Sequence, residues 1–256
     1  MRSVQSVNNN FYEVIVTDDS KDNVAKKFIE TNYLWVKWVE GPKKGPAANR
    51  NNGANHAAGE WLIFIDDDCV PDEKFLNAYK KAITVFPDVE VFEGRISVDR
   101  TKQSFIEESP VNENGGFLWS CNFMIKANLF KELDGFDPAF PYAAMEDVDL
   151  QYRIKKMNRH IEFIKEARVI HPWRIEKDIL GKTKKRFQST LYFLKKHPEM
   201  MSKLNAVYFS RAAIINFKNA FKYAYKFRLK GIDKQIVISI LHMYFAIFLF
   251  FKKSFY

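Results

Sequence analysis

Three consecutive aspartates, Asp66, Asp67 and Asp68, follow a run of apolar residues in "WLIFIDDDCVPD", residues 61–72. Carboxylates this close repel one another, and a buried approach raises the cost of keeping them ionised. A divalent cation offsets the repulsion, and hard oxygen ligands suit Mg²⁺ or Mn²⁺. A second acidic pair, Asp18 and Asp19, ends the apolar run of "YEVIVTDDS". A third, Glu146 and Asp147, opens "MEDVDLQYRIKKM". A bound ion and a fixed arginine stabilise charge developing on a leaving group, and a carboxylate can take the proton of an attacking hydroxyl.

The elements that must position these groups are legible from periodicity and punctuation. β-Branched residues from Glu13 to Thr17 predict a buried strand with acids at its C-terminal end. "KDNVAKKFIETN" reads as a helix, "LWVKWVE" as a second strand, and "GPKKGPAANRNNGANHAAGE" as a Gly/Pro/Asn loop entering a short helix. "WLIFIDDD" is a third strand, and "PDEKFLNAYKKAITVF" a helix with Pro71 near its first turn. "VEVFEGRISV" is a fourth strand, and "HIEFIKEARVIHPWR" a strand pair or strand–turn–strand ending at His171. Strand–helix alternation predicts a single open, mostly parallel α/β sheet flanked by helices, whose ligands sit at the carboxyl ends of the strands. Both Asp19 and the Asp66–Asp68 run fall at such ends. Glu146 and Asp147 fall in the first turn of a helix, whose dipole favours an ionised Asp147.

The net charge of +9 is unevenly spread. Up to Glu176, 23 Lys+Arg face 28 Asp+Glu, whereas from Lys177 onward 17 face 3. An acidic body (1–176) thus precedes a basic, aromatic-rich, mostly helical tail (177–256), with breaks at "KHPEM" and Gly231. Such a tail suits nucleic acid or an anionic membrane leaflet. The 16 nearly continuous apolar residues from Ile236 to Phe251 favour the membrane. They fall short of the ~20 residues of a perpendicular span, so a peripheral or monotopic attachment is expected. The alternative is that this run packs back on the body or pairs two copies. Cys69 and Cys121 form no disulfide framework and read as reduced thiols of a cytosolic protein, and "MRSVQSVNNN" has no signal-peptide core.

Four segments in fixed order, "EVIVTDDSKDN", "GPAANRNNGANHAAGEWLIFIDDDCVPD", "GGFLWSCNFMIKANLFKELDGFDPAF" and "MEDVDLQYRIKK", resemble glycosyltransferase family 2, with its GT-A nucleotide-diphospho-sugar transferase fold. The resemblance spans roughly residues 10 to 175 and implies roles for individual positions. Asp19 would accept a hydrogen bond from the donor base, and Arg50 would meet the donor nucleotide. Asp66 and Asp68 form the family's D-x-D, Asp66 serving donor and metal and Asp68 coordinating the ion. His171 in "HPWR" would be a further metal-side ligand. Asp147 matches the catalytic base, with Glu146 and Trp119 beside the acceptor. Asp19 could instead cap the next helix, and His171 could be a structural histidine.

Two departures stand out. The family's first strand would precede "SVQSVNNNFYEV", where Met1 already falls within the first helix, and "DDSKD" lacks the glycine common in the acidic turn. The Gln-x-x-Arg-Trp motif of processive synthases is missing, which implies one sugar added per encounter. The resemblance therefore implies an inverting, Mn²⁺- or Mg²⁺-dependent enzyme. Its partners would be a UDP- or dTDP-sugar donor, a glycan or lipid-linked glycan acceptor of a bacterial surface polysaccharide, and an anionic membrane reached by the tail, with no nucleic acid. Its expected place is the cytoplasmic face of the inner membrane. A sugar nucleotidyltransferase, or a non-catalytic membrane or nucleic-acid adaptor, is the rival reading.

Overall fold

The structure, a computed structural model, describes residues 12–252. The expectations about the first strand and first helix concern residues 1–11 and lie outside the described residues. The chain divides into two compact units. Among the described residues, the first comprises 12–99, 110–139 and 146–172; the second comprises 100–109, 140–145 and 173–252.

In the first unit, β1 (Val14–Asp18) pairs in parallel with β2 (Val36–Glu40), and α1 (Val24–Asn32) links them. A five-stranded sheet follows, in the order β3 (Trp61–Ile65), β7 (Asn122–Lys126), β5 (Val91–Val98), β8 (Ile161–His171), β4 (Val70–Pro71). β3, β5 and β8 share one direction, as strand–helix alternation implies, while β7 and β4 run against them. Antiparallel neighbours need no helical crossover, and no helix separates β5 from β7. The alternation signal therefore had nothing to register there.

Side-chain alternation along the strands makes two cores. Phe64, Val91, Phe123 and Ile125 pack on one face with Phe130 of α4 (Ala127–Glu132) and with Leu150 and Ile154 of α5 (Glu146–Lys156). Phe92, Ile96, Met124 and Val169 pack on the other with Phe75, Tyr79 and Ala82 of α3 (Phe75–Val85).

β8 is one continuous strand rather than a pair. Its register against β5 jumps from Gly94 opposite Ile164 to Arg95 opposite Arg168. The extra residues on β8 gave the sequence its turn-like look. Asn122 absorbs the irregularity by donating to the Arg95 and Ala167 carbonyl oxygens at 2.9 Å each, while accepting from the Tyr79 hydroxyl at 2.8 Å. A Cβ at Gly94 would stand 2.3 Å from the Asn122 amide nitrogen, so only glycine fits there.

The second unit pairs β6 (Glu107–Glu108) with β9 (Arg174–Ile175) and adds three long helices, α6 (Ile179–Lys196), α7 (Ala206–Lys222) and α8 (Ile232–Lys252). Asp178 and Asn205 cap α6 and α7 by accepting from the Gly181 and Tyr208 amides. The break at "KHPEM" is a 3₁₀ turn, Pro198–Ser202, and Gly231 turns the chain between α7 and α8 at φ +80°.

The α8 helix carries the apolar run within a 20-residue stretch, Ile232–Phe251, of mean hydropathy 1.8, long and apolar enough to cross a membrane by length and composition. Phe245, Ala246 and Leu249 on one side of it pack on Phe187 of α6 and Phe209 of α7. Ile240, Tyr244 and Ile247 on the other side are more than half exposed. The run thus packs inward along one stripe and leaves an apolar stripe outward.

Candidate active site

The helix carrying Arg50, α2 (Pro46–Asn55), is unusually rich in asparagine, and the structure shows why. Asn49 exchanges hydrogen bonds with the Thr17 hydroxyl and carbonyl, and Asn52 donates to Thr17 Oγ1 and the Glu40 carbonyl. These tie α2 to the ends of β1 and β2. Asn51 grips the Phe136 backbone from the other side, donating to its carbonyl at 2.7 Å and accepting from its amide at 2.9 Å. Arg50 is thereby held with its guanidinium 5.7 Å from the Phe136 ring centroid.

From that position Arg50 bridges two of the acidic segments. Its Nη2 donates to Asp66 Oδ1 at 2.9 Å, just past β3, and its Nη1 reaches Glu146 Oε1 at 3.4 Å, at the start of α5. Burial acts to lower the Arg50 pKa, but Asp66 and then Glu146 and Asp147 raise it overall. The arginine is thus locked in its charged form.

Helix α5 opens with Glu146, Asp147 and Asp149 and ends with Arg153, Lys155 and Lys156, matching the helix dipole at both ends. Asp149 is fully buried and pairs with Arg153 at 2.7 Å. Arg153 also donates to the Leu133 and Gly135 carbonyls, which fixes the helix start against the turn after α4.

Asp147 does not behave as the dipole alone suggests. Burial, and then the neighbouring Glu146, push its pKa up to about 7. The Val148 amide and Arg50 oppose this and do not overcome it. The expectation of a firmly ionised Asp147 is corrected: desolvation outweighs the dipole. A carboxylate near 7 is still suited to taking a proton at neutral pH. Burial raises Glu146 as well. Glu146 Oε2 is buried and makes no hydrogen bond among the described residues. Trp119 stacks on Phe117 at 5.6 Å, and its indole N–H likewise has no partner among the described residues.

Asp68 lies on the other side of the aspartate run. Its Oδ1 is 3.5 Å from Nε2 of His171, which is only 2% exposed. His171 Nδ1 lies 2.9 Å from the Pro172 carbonyl oxygen. A carbonyl oxygen only accepts, so that contact places a proton on Nδ1 and leaves Nε2 as the ring atom facing Asp68. Asp68, His171 and Cys69 offer ligand atoms all within 4.8 Å of one another. The donor set combines oxygen, nitrogen and sulfur, which fits a divalent transition-metal ion better than Mg²⁺.

Asp68 and His171, both expected at the metal, come together with Cys69 beside them, while Asp66, expected as a further ligand, faces Arg50. In the sequence Cys69 has no such place, because a lone cysteine beside three aspartates reads as an ordinary reduced thiol. Both cysteines are free, and contact with Cys69, together with burial, raises the Cys121 thiol.

Asp19 lies just beyond β1, where its Oδ1 accepts from the Lys43 amide at 2.8 Å. It does not cap α1, whose N-cap position is Asn23. Asp19 instead shapes the loop after β2, at the same strand-end level as the Asn-rich helix.

Solved structures share this fold. The crystal structure of GalNAc-T7 with UDP, GalNAc and Mn²⁺ aligns at a TM-score of 0.53 and 19% identity, over 68% of this chain and 40% of that one. Residues 1–349 of Staphylococcus aureus TarS align at 0.52 and 16% identity, over 93% and 84% of the two chains. These likenesses define a GT-A α/β protein. The sequence description of glycosyl transferase family 2 matches residues 1–134, and the chain belongs to that family. A Campylobacter jejuni GalNAc(5)-diNAcBac-PP-undecaprenol beta-1,3-glucosyltransferase is 32% identical over 82 residues, 27% of this chain and 24% of that protein. The matched stretch spans about a quarter of the length of such curated relatives.

Proposed function

We propose that this glycosyltransferase moves a sugar from a nucleoside diphosphate donor to a hydroxyl of a growing, lipid-linked bacterial glycan, one residue per encounter and with inversion. The observation that carries the reading is Arg50. It bridges Asp66 at the end of β3 to Glu146 at the start of α5, one residue from Asp147. A donor-side and an acceptor-side carboxylate are thereby tied to one fixed cation.

In this reading Asp19 and Asp66 orient the donor nucleotide, and Arg50 offsets charge developing on the leaving diphosphate. Asp68 and His171 would hold Mn²⁺ or Mg²⁺, with Cys69 beside them. The ion supplies further charge stabilisation to the diphosphate when bound. Glu146 Oε2 and the Trp119 indole N–H, buried and without partners among the described residues, would meet acceptor hydroxyls. Asp147 takes the acceptor's proton. The acceptor oxygen forms its bond to the anomeric carbon as the bond to the diphosphate breaks, its electron pair leaving on the phosphate oxygen. One base and no carboxylate nucleophile imply a single displacement and inverted configuration.

The C. jejuni relative is named for an undecaprenol-linked substrate, which supports a lipid-linked acceptor. The basic segment after Lys177 and the outward apolar stripe of α8 support attachment to the cytoplasmic face of the inner membrane, in a peripheral or monotopic manner. The test is donor turnover over a panel of UDP- and dTDP-sugars, with the released anomer read by NMR. Inversion in the wild type and loss in Asp147→Asn are expected. Turnover at the wild-type rate in that variant, or retained configuration, would overturn the assignment.

A further inference from the structure

The second unit holds a half-open cavity of about 700 Å³ that the transfer chemistry leaves unused. The volume lies within the roughly 300–1,000 Å³ typical of small-molecule sites. One part of the wall is aromatic. Phe187 and Phe245 stack at 3.7 Å with Phe209 against them, and Phe105 meets Phe227 edge-on at 4.8 Å. Another part is polar in a way apolar helices rarely tolerate. Gln235 donates to Asn216 Oδ1 at 2.9 Å, and Asn216 Nδ2 donates to His242 Nδ1 at 3.2 Å.

The charge of the lining is positive. Arg186 grips the cavity's one acid, Glu108, with two bonds of 3.0 and 2.9 Å, and Lys182 adds a third at 2.9 Å. Lys102 and Lys226 make no ion pair among the described residues, and their ammonium groups lie over Trp173 and Phe227 at 5.5 and 5.9 Å. A sugar would call for carboxylates, and the cavity's carboxylate is already engaged. A hydrocarbon alone would leave the lysines without purpose. The wall also includes Met145, the residue preceding Glu146 and Asp147 in the chain, held at φ +75°. A side chain in that backbone region is strained.

We infer that this cavity binds a phosphate-headed lipid, its hydrocarbon chain against the Phe187–Phe209–Phe245 wall and its phosphate meeting Lys102 and Lys226. The inference rests on the glycosyltransferase reading and identifies the lipid part of the acceptor. The exposed apolar residues of α7 and α8, among them Ile215, Phe221 and Ile247, suit an approach from a bilayer.

The test uses the full chain in detergent, with farnesyl phosphate, farnesol and inorganic phosphate as probes in thermophoretic titrations. Farnesyl phosphate should saturate, farnesol should bind at least about tenfold more weakly, and inorganic phosphate should not bind, since one charge-assisted contact is worth about that factor. The Lys102→Ala, Lys226→Ala double variant should lose farnesyl phosphate affinity by about tenfold or more and leave farnesol unchanged. Ala212→Phe fills the cavity and should weaken both lipids without altering sedimentation with vesicles. Undiminished farnesyl phosphate binding in the double variant or in Ala212→Phe would overturn the inference, as would equal binding of inorganic phosphate. A UDP titration with Mn²⁺ on the same preparations checks their folding and reads the nucleotide site independently.

Discussion

Replacing Asp147 by asparagine should separate two quantities that this carboxylate links, transfer rate and the pH dependence of stability. Burial and Glu146 raise its pKa from 3.8 to about 7. A rise of roughly three pH units corresponds to about 4 kcal/mol of cost for ionising the group in the folded protein. The folded state holds this proton more tightly than the unfolded state does. The group's favourable contribution is therefore complete below pH 3.8 and is lost as pH rises through 7. Somewhat under half of the cost is felt at pH 5 and nearly all of it at pH 8, a difference of about 2.5 kcal/mol. Asparagine cannot ionise. Urea unfolding of both proteins at pH 5 and pH 8 should show the variant gaining about 2.5 kcal/mol on the wild type across that interval. Transfer should fall by about 10²- to 10⁴-fold. A relative stability that stays constant between the two pH values would refute the desolvated carboxylate, and transfer at the wild-type rate would refute the base.

Asn122→Ala strips hydrogen bonds from the Tyr79 hydroxyl and from the Arg95 and Ala167 carbonyls in the sheet interior. It should destabilise the protein by about 3 kcal/mol in urea unfolding, and a loss well under 1 kcal/mol would contradict the role given to the β8 irregularity. Arg50→Ala removes the charge that lowers both Glu146 and Asp147. The acid limb of any residual pH–rate profile should move to higher pH, and an unmoved limb would detach the arginine from the base. Changing Ile240, Tyr244 and Ile247 together to glutamine polarises the outward stripe of α8. Sedimentation with anionic vesicles should drop by about tenfold or more with the circular dichroism unchanged, and undiminished binding would place the membrane contact elsewhere.

The sequence carried the first unit further than the second. Continuous apolar runs ending in acids marked β1 and β3, and the acidic opening of α5 marked that helix, because each signal is local. The antiparallel entry of β7 beside β5 was not legible, since strand direction depends on distant pairing. The same holds for β8, where one turn-like stretch proved to be an irregularity in a single strand. At the site, the separation of Asp66 from Asp68 could not be read from a run of three identical residues. Arg50 pairs with one and His171 lies beside the other. The raised Asp147 was hidden for a related reason, because desolvation comes from packing that no local pattern records. The polar cluster of Asn216, Gln235 and His242 is visible in the chain as exceptions to an apolar texture, but their meeting across α7 and α8 is not.

Calorimetric titration of nucleoside diphosphates, with and without Mn²⁺, into wild type and Asp68→Ala tests the donor site most directly. The account predicts saturable binding of UDP or dTDP by the wild type that strengthens when Mn²⁺ is present. In Asp68→Ala the Mn²⁺-dependent part should vanish while the folded structure persists. Binding that is indifferent to Mn²⁺, or equally Mn²⁺-dependent in the variant, would contradict a donor site built on Asp68 and His171.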